Sequence, residues 1–399
     1  MRLCAGVDIA VDLRAIILVG GASDDVTPAS ESFAGLPLAL CDVLGKSILH
    51  RTIENLQQQG ISSISVISEC AAPVLNIAGR GLRSTYSWTE TVPSQLWRIA
   101  ENTFGDLAQS GAEIVLVVRL GAYAEFDLED MLQQHLASPH HVTCVVDDAG
   151  VPLDIALINA SRRNEAAYLL RHRLREARTT GGMYVFRGYH CRLRHVSELR
   201  GLALEGLLQR NRIQPTGEEV RPGIWIAAHA RITRGARIVA PAFIGERVKV
   251  CASAVITRGS SLEHHTVVEP GTVIENSTLL PFTRVGSLLD FTHAVVSGSR
   301  VASLVRNVEL DVPDPTLAGS LAQHAPLRAL SSAVSIATFL PMGFLRGLLQ
   351  RNRSARPSEL PAAAVVHSAA LNSSPLPAQV EGATSFSAYM VVARRYGNQ

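Results

Sequence analysis

Between residues 226 and 280 an aliphatic side chain returns at every sixth position: Ile226, Ile232, Ile238, Ile244, Val250, Ile256, Leu262, Val268, Ile274 and Leu280. Four residues after each stands a small or β-branched one, Ala230, Ala236, Ala242, Val248, Ala254, Ser260, Thr266, Thr272 and Thr278, and the series fails only at Arg284. A period of six matches neither the 3.6-residue helix nor the two-residue strand, but it fits flat coils of hexapeptides. Each coil face turns one aliphatic side chain inward, and a small residue fits where the chain rounds the corner. The spacing predicts a left-handed parallel β-helix over 222–306. Its phase slips near Gly286, with Leu289, Val295 and Val301 resuming it. Such a stack buries a continuous core, leaves two ends to be capped, and suits a homo-oligomer.

Upstream, residues 1–215 alternate short apolar runs with helical stretches. Strands are expected at Ala15–Val19, Ile64–Ser68, Ile114–Val118, Val142–Val146, Ile155–Ile158 and Met183–Phe186. Helices are expected at Ser47–Gln59, Ser94–Ala108 and Asp127–Leu136. Ile48, Leu49, Ile53 and Leu56 share one face of the first helix, and Gly60 supplies its stop. This alternation predicts an α/β domain with a parallel, doubly wound sheet.

Downstream, residues 307–399 read as a C-terminal extension. It contains an uncharged stretch over 329–345, flanked by Arg328 and Arg346 and interrupted at Pro341, and an Ala/Pro/Ser-rich tail over about 354–380. The stretch suits either a helix packed on protein or a peripheral membrane contact.

With 47% hydrophobic and 18% charged residues the chain can bury sizeable cores. A net charge of +2 is too small to make nucleic acid the main partner, and aromatics at 5% are not interleaved with basic residues. The six cysteines show no C-x-x-C, which speaks against structural zinc or a disulfide framework and for a cytoplasmic setting. Asp8 and Asp12 interrupt the N-terminal apolar run, against a signal peptide.

The segment from Ala15 to Ile61 carries AIILVGG and then LPLALCDVLGKSILHRTIENLQQQGI. It resembles the opening of the sugar-nucleotidyltransferases, in the branch like mannose-1-phosphate guanylyltransferase. That family joins a nucleoside triphosphate to a sugar 1-phosphate. Gly20-Gly21 matches the start of its Gly-rich loop, Leu36-Pro37-Leu38 its P-K-P-L, and Val43-Leu44-Gly45-Lys46 its V-x-G-K. Val115–Leu136 resembles the strand, G-D metal motif and following helix, and Gly182–Phe186 the G-x-Y-V-F strand.

The resemblance implies a Rossmann-like domain, a nucleotide or nucleotide-sugar ligand contacting Gly20, Gly21, Ala22 and Gly121, and Mg2+ in an active member. Four charged groups of the family's reaction are missing. Gly21-Ala22-Ser23-Asp24-Asp25 holds no loop Arg, Leu36 stands for the P-K-P Lys, and Ala122 for the metal-binding Asp. The E-K-P Lys has no counterpart between Val142 and Thr180. Loss of one transition-state stabiliser costs about 10²–10³ in rate. The expectation is therefore a degenerate transferase without assignable catalytic or metal-binding residues, serving surface-polysaccharide synthesis by binding a nucleotide-sugar or regulating a catalytic partner subunit. An active transferase, a hexapeptide-repeat acyltransferase and a scaffold remain as alternatives.

Several residues admit a plainer reading. The glycines also suit a tight turn, Lys46 a helix start, Asp127 an N-cap, and Asp24 and Asp25 a solvated loop. His229, His264, His265 and His293 fall in the repeats, where a histidine can serve an acyltransferase as base. Uninterrupted repeats leave no room for the loop such enzymes extrude, so outward-facing histidines are expected. Six arginines over 162–178 flank an apolar stripe of Ala166, Leu169, Leu170 and Leu174, suited to a solvated helix face or an anionic partner.

Overall fold

In a computed structural model, residues 11–21, 31–70, 86–174, 177 and 181–321 are described. They form a mixed α/β molecule, with a largely parallel sheet in the first half and many short strands in the second. The expected hydrophobic stretch 329–345, the tail, Ala22, Asp24 and Asp25 lie outside the described residues.

In the first half the strands are β1 (Leu13–Val19), β2 (Ile64–Ser68), β3 (Tyr86–Glu90), β4 (Ile114–Arg119), β5 (Val142–Val146), β6 (Pro152–Asn159) and β7 (Gly182–Val185). They stand in the order β7-β5-β6-β4-β1-β2-β3. The helices are α1 (Ile48–Gln58), α2 (Leu96–Gln109), α3 (Leu128–Ala137), α4 (Arg163–Arg171) and α5 (Val196–Leu207). β1 and β4 are apolar on both faces because both faces are covered. Ala15, Ile17 and Val19 pack with α1, α3 and α5, whereas Ile16 and Leu18 pack with α2 and α4.

The sheet is not wholly parallel, as the sequence had suggested. β6 runs antiparallel to both β5 and β4. The reason is local: Asp147–Val151 is too short for a crossover, and short links join antiparallel neighbours. Gly150 at φ 75° and the Asp147 carboxylate, which accepts from Val151 N at 2.7 Å, close that turn.

Two helix starts follow from side chains. Ser47 Oγ accepts from His50 N at 3.2 Å, and Asp127 Oδ1 accepts from Glu129 N at 3.0 Å. The apolar stripe of α4 is buried with α2, and Arg171 pairs with Glu101 of α2. The stripe is thus core, not a free surface.

The second half begins with β8 (Glu218–Arg221), β9 (Ile224–Ile226), β10 (Arg231–Ile232), β11 (Arg237–Ile238), β12 (Ala242–Ile244), β13 (Lys249–Val250) and β14 (Val255–Thr257). Strands return to the same sheet after three hexapeptides. Ile226 pairs with Ile244, Ile232 with Val250 and Ile238 with Ile256, all in parallel. Ile244, Val250, Ile256, Leu262, Val268 and Ile274 are fully buried in one core. Full burial of each such side chain is worth about 1.5–3 kcal/mol.

The corner is made by the residue three after the inward one. Arg247, Ser253, Gly259, His265 and Gly271 all take left-handed φ there. The small residue that follows is buried: Val248, Ala254, Ser260, Thr266 and Thr272.

The phase slips earlier than Gly286. Leu262 pairs with Leu279, not Leu280, and Ile274 with Phe291, so one coil is a residue short at the corner near Asn276. Ser277 and Thr283 then take the buried small positions. The apparent failure at Arg284 disappears in that register. Val285, Phe291 and Val296 continue the inward register; the expected Leu289 and Val301 are buried in the same core, whereas Val295 packs with the first half. Pairing continues past 306, through Val308–Asp311 and Ala318–Ser320.

The two halves share buried groups. Phe243, Leu280, Val295 and Ala302 join the core of the first half. Arg200 of α5 donates to Gly259 O at 2.7 Å and Asn276 Oδ1 at 2.8 Å. Buried Glu263 accepts from Leu44 N at 2.9 Å and Gly45 N at 2.8 Å. These N–H groups tip the hairpin of Asp42–Val43 and Lys46–Ser47, with Leu44 at φ 55° and Gly45 at φ 92°.

Candidate functional site

Strand order reverses where β1 lies between β2 and β4, and ligands of such sheets collect beyond the strand carboxyl ends at that point. A cleft of about 250 Å³ opens there, lined by Gly20, Gly21, Glu31, Glu69, Cys70 and Leu120 among others. Gly20 and Gly21 leave β1 at φ 107° and 61°, conformations that other residues rarely adopt. A β-carbon at Gly20 would strike the Glu69 carboxylate, and one at Gly21 would lie 2.6 Å from Leu96 Cδ2.

The close approach made by Gly21 is to a carboxylate of the chain itself. Gly21 N donates to Glu69 Oε1 at 2.7 Å. Glu69 enters directly after β2, which pairs with β1 through Ser68. Burial, together with the nearby charge of Glu31, raises its pKa, while the Gly21 N–H opposes the rise.

Arg119, the last residue of β4, is buried close by. It reaches Glu31 Oε2 at 2.8 Å and Asp154 Oδ2 at 2.5 Å. Burial disfavours its charge, but Asp154 and Glu31 outweigh that and hold the guanidinium above its ordinary pKa. Gly121 sits beside this cluster, where a β-carbon would run into Arg119. The four sequence-derived contact residues therefore separate. Gly20 and Gly21 line the cleft, Gly121 makes room for Arg119, and Ala22 is not described.

Among the described residues the buried indole Nε1 of Trp97 meets no acceptor, and it lies 3.0 Å from where a Gly21 β-carbon would stand. A buried N–H without an acceptor costs free energy unless something meets it.

Mg2+, implied by the resemblance, does not fit these residues. Ala122 offers no carboxylate, and the cation of Arg119 already sits between Glu31 and Asp154. Among the described residues no group of three metal-ligating side chains gathers.

Lys46 is held by Glu54 at 2.7 Å, so it anchors the start of α1. His264 departs from the outward-facing expectation, because it points into the junction between the halves. Its Nε2 lies 3.2 Å from Asp42 Oδ2, and its Nδ1 lies 3.0 Å from His265 Nδ1. Burial opposes its charge, yet Asp42 and Glu263 raise its pKa. With both ring nitrogens engaged, His264 is poorly placed to act as a free base.

Nothing in the sequence marks Glu31, Trp97 or Asp154, whereas a single charge closing the apolar run Ile114–Val118 was the available clue to Arg119. Glu69 stands one residue past β2 in the same way. Neither a family model nor a curated relative matches the chain, so its chemistry rests on its own residues.

Proposed function

We propose that the chain is a catalytically silent relative of the sugar-nucleotidyltransferases, acting as a nucleotide-sugar-binding regulatory subunit in surface-polysaccharide synthesis. In this reading the first half is Rossmann-like, as its strand reversal at β1 supports. The second half is a left-handed parallel β-helix, which the 18-residue pairing from Ile226 to Ile244 and onward supports.

The observation that carries the reading is the Glu69 carboxylate on Gly21 N. A Gly-rich loop that serves a triphosphate offers backbone N–H groups to phosphate oxygens. Here an acidic side chain takes that donor, Glu31 adds a second carboxylate to the cleft, and Arg119 is spent on Glu31 and Asp154. Such a cleft disfavours a nucleoside triphosphate, with about four negative charges, more than a nucleotide-sugar, with about two. Its carboxylates can accept from sugar hydroxyls.

The test is a pyrophosphate-release assay beside thermal-shift binding. It crosses the common nucleoside triphosphates with mannose, glucose and N-acetylglucosamine 1-phosphates, with magnesium present. The expected result is no turnover, together with a melting shift from one nucleotide-sugar that shrinks in Glu31→Gln. Turnover above about 1 s⁻¹, within the ordinary enzyme range, would overturn the proposal. A chain that no nucleotide-sugar shifts would be a scaffold instead.

A further inference from the structure

The repeat stack is closed unevenly at its first coil. β8 pairs antiparallel with β9 and covers one face. β10 and β11 pair only with the next coil, through β13 and β14, and among the described residues no strand joins their outer edges. Side chains that should be core are correspondingly open. Ile232 is 39% exposed, whereas Val250, its partner one coil on, is fully buried. Val220 and Val239 are exposed at the same end.

Backbone alternation sharpens the point. Arg231 N donates to Val248 O at 2.7 Å and Thr233 N to Val250 O at 2.9 Å, both toward the second coil. The N–H and C=O of Ile232, between them, face the other way. Around this edge stand Arg221, Arg231, Arg234 and Arg237, all exposed and none ion-paired among the described residues. The nearest acids in sequence are Glu218 and Glu219 on β8, where Glu219 accepts from Gly223 N, and Glu246 of the second coil, which pairs with Arg247 at 3.6 Å.

Three occupants compete for such an edge. A membrane surface would meet the arginines but give the Ile232 backbone no regular partner. A second copy would bring one arginine-rich coil against another. An extended acidic segment satisfies both demands, because a strand pairs the free backbone groups while its outward acids oppose Arg231 and Arg234.

We propose that β10 is a docking edge for an acidic, extended segment of a partner protein, one that alternates aliphatic with acidic side chains. The aliphatic residues continue the stack core over Ile232, and the acids face the arginines. This inference is independent of the cleft beyond β1.

The experiment titrates the full chain against a labelled, end-blocked peptide of about nine residues alternating aspartate with valine. A peptide of the same composition with the aspartates grouped at one end serves as control. The alternating peptide is expected to bind, to slow hydrogen exchange at the Ile232 amide, and to lose affinity about tenfold in R231E/R234E. Both substitutions are at exposed sites, and an unchanged melting temperature shows that the variant is folded. Equal binding of the control, or no protection of the Ile232 amide, overturns the proposal. So does self-association, or co-sedimentation with phosphatidylserine vesicles, that R231E/R234E abolishes while the peptide does not bind. Those outcomes would assign the edge to a second copy or to a membrane.

Discussion

At the scale of single residues, the cleft is governed by where charges are held. Arg119 is buried between Glu31 and Asp154, so Arg119→Met leaves two carboxylates in an apolar setting without their cation. Removing one partner of a buried pair costs about 3–5 kcal/mol, and a urea titration should show a loss of that order. A loss below about 1 kcal/mol would mean that the cluster is hydrated and does not hold the strand ends. Glu69→Ala has the opposite purpose. It frees Gly21 N and removes a like charge, so nucleoside triphosphate binding should tighten about tenfold, or about 1.4 kcal/mol, in isothermal titration. Unchanged binding would mean that Glu69 is not the obstacle. These residues were hard to read in the sequence because each is an ordinary charge at the end of an apolar run. Only the folded sheet brings Glu69 from beyond β2 to the glycines beyond β1.

At the scale of elements, much was legible. The six strand cores and three helices of the first half fall close to where the apolar runs and caps place them. Asp127 is one such cap: Asp127→Ala should lower stability by about 1 kcal/mol, seen as a shifted denaturation midpoint with an unchanged slope. Strand β3 and helix α5 had no counterpart among the expected elements, and two further features escaped. The reversal of β6 depends on the length of the Asp147–Val151 turn, and apolar content says nothing of direction. The short coil near Asn276 was hidden because Leu279 and Leu280 are adjacent and either could continue the count. Burial resolves it, since Leu279 is inward and Leu280 packs with the other half. In the stack, Ile256→Ala removes a fully buried side chain and should cost about 2–5 kcal/mol. A smaller value from thermal or urea unfolding would show that the coils collapse around the gap.

At the scale of the whole molecule, the join between the halves is built from titratable groups. Burial, with Asp42 nearby, pushes Glu263 up to about 7, while the N–H groups of Leu44 and Gly45 oppose the shift. A carboxyl raised from 4.5 in the folded state binds its proton more tightly than in the unfolded chain. Stability from this source therefore falls as pH rises from about 4.5 toward about 7. His264, raised above 6.5, acts in the same direction: its contribution is present at lower pH and is lost as pH passes its folded value. Glu263→Gln turns an amide NH2 toward one of two N–H donors, so it should cost about 1–3 kcal/mol. It should also flatten the decline in stability between about pH 5 and pH 8. An equally steep decline in the variant would place the titration elsewhere. The motif around Val43–Lys46 foretold none of this, because its turn takes its meaning from a residue in the other half of the chain.

That separation has a consequence in time. Leu44 and its acceptor Glu263 stand 219 residues apart. At a synthesis rate of about 5–20 residues per second, the hairpin leaves the ribosome some tens of seconds at most before Glu263 exists. Throughout that interval its two N–H groups lack the acceptor they have in the folded chain. Until then the turn rests on Arg51, which donates to Val43 O at 2.7 Å and Leu44 O at 3.2 Å, and the third coil of the stack arrives as its late clasp.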